Sequence, residues 1–165
     1  MNRRRGLTII EIVVAMLVVS SMMAAALYAV AGSRSATARG TDRAQAAALA
    51  DDLMGYIYRL AYKSPSGSLL GIELGDVLNS KPGYDDVDDF DGFREDPPQY
   101  ADGSVIPGMT GWERSVSVVW VNANNPATVS GTESGVKRIT VTVSRNGTVI
   151  VRRVALRTDL ATTSE

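Results

Sequence analysis

The sequence predicts an α+β fold: one long N-terminal helix followed by an antiparallel β-sheet of three or four strands. Three observations carry that prediction. No proline occurs between residues 7 and 64, so nothing forces an early helix to stop. From residue 112 onward, apolar and polar residues alternate with the period of strands. Between two of those runs lies Asn146-Gly147, a strong signal for a two-residue hairpin, because both positions must take positive φ.

The helix begins in an apolar stretch. Residues 7–32 read "LTIIEIVVAMLVVSSMMAAALYAVAG", and their one charge is Glu11. As a helix they reach roughly 39 Å, enough to cross a bilayer core of about 30 Å. Thr8, Ser20 and Ser21 are interruptions that a helix absorbs by bonding back to its own carbonyls. Arg3, Arg4 and Arg5 precede the stretch. Setting them aside leaves 14 of the 17 basic residues against 18 acidic ones, a net of −4. A basic tip, an apolar stretch and an acidic body predict a cytoplasmic N-terminus and a body across the membrane.

Three readings of the stretch compete. A secretory signal peptide fits the basic start and the small residues of "AVAG", but its apolar region is usually about 7–15 residues. A plain membrane anchor fits the length and leaves Glu11 unexplained, since ionisable residues in spans are costly and usually functional. The third reading explains the glutamate. Arg5-Gly6-Leu7-Thr8-Ile9-Ile10-Glu11 resembles the signature of type IV pilins and type II secretion pseudopilins. The resemblance implies cleavage between Gly6 and Leu7 by a prepilin peptidase, with N-methylation of Leu7. The first mature residue of that family is usually phenylalanine, and leucine stands here. It also implies that Glu11 neutralises the N-terminal ammonium of a neighbouring subunit, because buried opposite charges must be paired.

Residues 33–62 are predicted to continue the helix. "AQAAALADDLMGYIYRLAY" is alanine-rich, and Leu49, Leu53, Ile57 and Leu60 recur on one face. Gly32 and Gly40 are weak points where two helices could meet instead. "KSPSGS" ends the helix. Residues 63–111 read as a variable loop region, with "KPGYDDVDDFDGFREDPPQYADGS" as its long Asp-, Gly- and Pro-rich part. The sheet is expected within residues 112–160. Trp112, Val116, Val118 and Trp120 share one face of the first run, and Ile139, Val141 and Val143 point inward from "KRITVTVS". Residues 161–165 form a flexible tail, and residues 1–6 a cytoplasmic leader. A long helix followed by such a sheet is the pilin architecture that the resemblance implies.

Five aspartates crowd one short segment: Asp85, Asp86, Asp88, Asp89 and Asp91. Such density suggests an oxygen-ligand site, with calcium as the natural guest. The spacing is not that of an EF-hand, since Val87 and Pro98 occupy ligand positions. The alternative is a turn in which aspartates cap backbone amides. The segment also resembles a short acidic motif of minor pilins of the MSHA D type and of V-type minor pilins. "VKRITVTV" resembles the last sheet of minor pseudopilins of the I class. Ser134 and Lys137 have the Ser-x-x-Lys spacing of some acyl-transfer enzymes, but they lie at a strand entrance without the other motifs. Asn146-Gly147-Thr148 spells a glycosylation sequon that the hairpin turn already explains. Trp112 and Trp120 could form a binding surface, and core packing is the alternative that the inward face favours.

Composition narrows the function. A net charge of −1 argues against a nucleic-acid partner. The chain has no cysteine, so an exported domain must hold by packing. It has no histidine, the commonest general base. The expectation is a structural subunit, a minor pilin or pseudopilin and not an enzyme. Its partners are a prepilin peptidase, other pilins or pseudopilins, an inner-membrane assembly platform and membrane lipid. Its place is the bacterial inner membrane, single-pass, with the C-terminal domain periplasmic, and then the filament. The alternative is a periplasmic binding or enzymatic domain on a simple N-terminal anchor.

Overall fold

The computed structural model describes residues 8–64, 70–71 and 80–159. The chain divides into two compact units, Met1–Asp42 and Arg43–Glu165. One helix, α1 (Ile9–Ile57), contributes to both. It runs through Gly32 and Gly40 without a break. Hydroxyls that would compete for the backbone bond back into the helix instead. Ser21 donates to the Val18 carbonyl at 2.8 Å, Thr37 to Ser33 at 3.0 Å and Thr41 to Thr37 at 3.1 Å.

The helix stops at Ile57 rather than at residue 62. The Arg59 and Leu60 amides donate to carbonyls only three residues back, tightening the last turn. Ala61 then leaves the helix to bridge the acidic loop: its amide donates to Asp85 O, and the Val87 amide donates to Ala61 O. Pairing with that loop replaces the expected last turn.

The sheet has five strands where the alternation predicted three or four: β1 (Arg94–Glu95), β2 (Trp112–Asn122), β3 (Asn125–Val129), β4 (Val136–Arg145) and β5 (Thr148–Thr158). Its order is β1-β2-β4-β5, antiparallel throughout, with β3 folded back on the end of β2. The region 63–111 is therefore not loop alone. It supplies β1 and two short 3-10 turns, Lys81–Gly83 and Asp88–Phe90. The β4–β5 hairpin turns at Asn146 (φ 49°) and Gly147 (φ 76°), both left-handed as the dipeptide predicted. Gly111 packs directly beneath it. Its φ is +76°, and a Cβ there would clash with Asn146 Oδ1.

The core lies within the second unit. Ala46, Leu49, Ala50, Leu53 and Ile57 form the buried face of α1. Against them pack Trp112, Val116 and Val118 of β2, Ile139, Val141 and Val143 of β4, and Val151 of β5. Burying each such aliphatic side chain stabilises the fold by about 1.5–3 kcal/mol. Tyr84, Phe90 and Phe93 extend the core, with ring centroids 5.0–5.8 Å apart.

The first unit contrasts with this. Ile9, Leu17, Met22 and Leu27 are 63–83% exposed. By length and composition, this part of α1 is one stretch able to cross a membrane.

Candidate functional site

Gly6 and Leu7, the expected cleavage and methylation positions, lie outside the described residues, as do the leader and the tail 161–165. Glu11 is described, and it occupies the first turn of α1. Its surroundings add something to the sequence reading. The Glu11 amide donates to Thr8 Oγ1 at 3.4 Å, and the Thr8 amide donates to Glu11 Oε2 at 3.4 Å. This reciprocal pair is a capping box, which satisfies two amides that a helix start leaves open. The Thr-x-x-Glu spacing is its signal in the sequence. Glu11 has no charged partner among the described residues. Beyond it, Ile12, Ala15, Met16 and Val19 line a shallow apolar strip along the helix.

The acidic segment is drawn inward, although its composition suggests a surface loop. Asp86, Asp88 and Asp89 are each at most 3% exposed. Asp86 Oδ1 accepts the amides of Asp88 (2.6 Å) and Asp89 (3.3 Å). Asp89 Oδ2 accepts those of Asp85 (3.0 Å) and Asp86 (3.3 Å). Two carboxylates thus cap one another's backbone, the turn chemistry available to aspartate. Asp91 Oδ1 accepts the Val118 amide at 2.9 Å, which fastens the loop to the edge of β2. Asp88 faces Lys137 of β4 across 2.7 Å. Carboxylate oxygens of Asp85, Asp86 and Asp89 come within 4.8 Å of one another. Asp88 and Asp91 are committed to Lys137 and to β2.

Lys137 is fully buried. Its ammonium also donates to the Tyr62 carbonyl and lies 3.9 Å from the Tyr62 ring centroid. The Tyr62 hydroxyl donates to Glu133 Oε1 at 2.7 Å. Burial pushes the Asp88 carboxyl up to about 6 against the opposing pull of Lys137. Burial, with Glu133 beside it, also pushes the Tyr62 phenol far above its usual range. The two members of the Ser-x-x-Lys pair are turned to different partners. The Lys137 amine is turned to Asp88, and Ser134 Oγ lies 2.7 Å from the Val121 carbonyl.

A second ionic cluster holds β1 and the following loop to α1. Glu95 sits opposite Arg114 in the β1–β2 register. Arg114 Nη2 reaches Glu95 Oε1 at 2.7 Å, and Lys81 Nζ reaches Glu95 Oε2 at 3.2 Å. Arg114 Nη1 donates to the Leu49 carbonyl and to Asp52 Oδ2, each at 3.1 Å. Lys81, Glu95 and Arg114 are 0–3% exposed. Burial lowers the Lys81 pKa, with Glu95 opposing. Arg114 and Lys137 occupy inward positions of otherwise apolar strand faces, which alternation alone would have shown. Trp112 is core, as expected, while Trp120 is half-buried beside Lys137 in the β2–β4 register.

Residues 1–27 match a family model described as the prokaryotic N-terminal methylation motif. No curated protein and no solved structure matches the chain.

Proposed function

We propose that this chain is a minor pilin or pseudopilin, cut between Gly6 and Leu7 by a prepilin peptidase, methylated at Leu7 and assembled into an inner-membrane-based filament. The observation that carries the reading is the motif match over residues 1–27, which spans Gly6, Leu7 and Glu11. That motif supports a type IV pilin-like or pseudopilin subunit and fits an inner-membrane anchor. Chains bearing it are generally structural rather than enzymatic.

The physical support comes from Glu11. In the second unit Lys81, Arg114 and Lys137 each face a carboxylate. Among the described residues Glu11 has only Thr8. Placed in an apolar medium, a carboxylate with no cation is costly. After cleavage, the ammonium of a neighbour's Leu7 is the matching charge, and the pair sets which subunits dock and in what register. The flanks of the apolar stretch carry equal basic charge, Arg3, Arg4 and Arg5 before it and Arg34, Arg39 and Arg43 after it. The orientation we propose, with Gly6 and Leu7 on the cytoplasmic side, is the one in which the prepilin peptidase reaches its cleavage site.

N-terminal mass analysis of the membrane-extracted protein tests this. N-methyl-leucine at residue 7 is expected. An intact Met1 identifies a plain anchor, and a start at Gly32 identifies a secreted protein. Glu11→Ala is expected to insert and be cut normally. Its filament incorporation should fall roughly a hundredfold, equivalent to losing about 3 kcal/mol of charge pairing. Normal incorporation would remove the pairing role.

A further inference from the structure

Beside α1, in the second unit, lies an open groove of about 210 Å³. Ala48 and Leu49 of the helix form one side, and Tyr100, Ile106 and Met109 the other. Tyr100 is half exposed, so a large apolar surface faces solvent. Asp52 is the acidic residue among those that line it. One of its oxygens is held by buried Arg114, yet its side chain is 69% exposed and presents its charge outward. The loop that supplies Tyr100 also carries Asp96 and Asp102, both exposed. The Ser104 hydroxyl and amide hold the Asp102 carboxyl below the usual range, so it stays ionised at neutral pH.

The chain carries a matching surface. Residues 33–43 of α1 read "SRSATARGTDR", with three arginines and one aspartate. Residues 33–41 are exposed. Ala36 and Gly40 stand four apart and so share a helix face. At Ala36 and Gly40 that face is thin enough to enter a shallow groove, with Arg43 at its end on the same face and Arg39 beside it. Small residues for an apolar floor and arginines for an acidic rim are what a helix-in-groove contact needs.

We infer that the groove between α1 and the 96–110 loop seats the arginine-bearing helical stretch 34–43 of a second copy of this chain. The contact joins two copies because residues 34–43 and the groove wall at 45–52 follow one another on a single helix. The inference rests on the filament reading, which brings such helices side by side.

The chain has no cysteine, so reporter pairs can be placed freely. The experiment uses full-length Ala36→Cys, Met109→Cys protein made with an active prepilin peptidase and then oxidised in the membrane. A dimer linked from position 36 to position 109 is expected, since a disulfide forms only where Cβ atoms come within about 4.5 Å. Arg39→Asp with Arg43→Asp, both exposed, should cut its yield roughly tenfold, and adding Asp96→Lys with Asp102→Lys should restore it. Absence of that linkage overturns the inference. So does a yield indifferent to charge, or capture of the thiol at position 109 by another protein. The N-terminal mass of the same samples separates the two levels: processed chain without the linkage sinks this contact alone, whereas unprocessed chain sinks the filament reading and this contact with it.

Discussion

Leu17 and Leu53 belong to the same helix and meet opposite fates. Leu17 is 66% exposed and Leu53 is 1% exposed. Their charged neighbours diverge in parallel. Glu95, in the second unit, is met by Lys81 and Arg114, while Glu11, in the first, is met among the described residues by Thr8 alone. The second unit supplies its own apolar interior and its own counter-charges. Among the described residues the first buries no apolar side chain and sets no cation against Glu11, so both are left to its surroundings. α1 is one element made for two media.

The sharpest way to break that contrast is to remove a counter-charge. Arg114→Met leaves Glu95 buried beside Lys81 only. It should cost about 3–5 kcal/mol of stability in denaturant unfolding of the detergent-solubilised chain, followed by tryptophan fluorescence. A loss below about 1 kcal/mol would mean that the cluster is dispensable.

Next comes the leucine pair. Leu53→Ala should cost about 2–5 kcal/mol in the same assay, and Leu17→Ala less than about 0.5 kcal/mol. Equal losses would erase the distinction between the two units.

A smaller effect sharpens the picture of the acidic loop. The Asp88 carboxyl is raised to about 6 in the folded chain from 3.8. The folded state therefore holds that proton more tightly than the unfolded state does. Its contribution is fully present below about pH 4 and is lost as pH rises through 6, on the order of 1 kcal/mol per pH unit. Asp86, also raised by burial, adds in the same direction. Asp88→Asn should flatten that part of the stability profile. A slope of opposite sign would show that Lys137 outweighs burial. The smallest effect concerns calcium. Because Asp86 and Asp89 spend oxygens on backbone amides, the melting midpoint should be the same with calcium as with chelator, and a rise with calcium would assign a cation to Asp85, Asp86 and Asp89.

The legible parts of the fold were those with one dominant local cause. The absence of proline gave α1, alternation gave the inward faces of β2 and β4, and Asn146-Gly147 gave the hairpin. What escaped depended on distant partners. β1 is two residues long and exists because Arg94 and Glu95 lie against Ser115 and Arg114. The early end of α1 depends on a bridge from Ala61 to the acidic loop. Of the site, Glu11 stood out as the lone charge in its stretch, but its capping role was hidden behind that conspicuousness. Composition marked the five aspartates, but it cannot show which oxygens the backbone will claim and which are left facing one another.

The clasp of Lys81, Glu95 and Arg114 joins the 81–99 segment to α1 through charge, where a covalent crosslink would serve in many exported domains. Such a fastening needs no oxidant. It gives this unit the same strength in reducing and oxidising surroundings. Being dry, it is also screened little by changes in ambient salt.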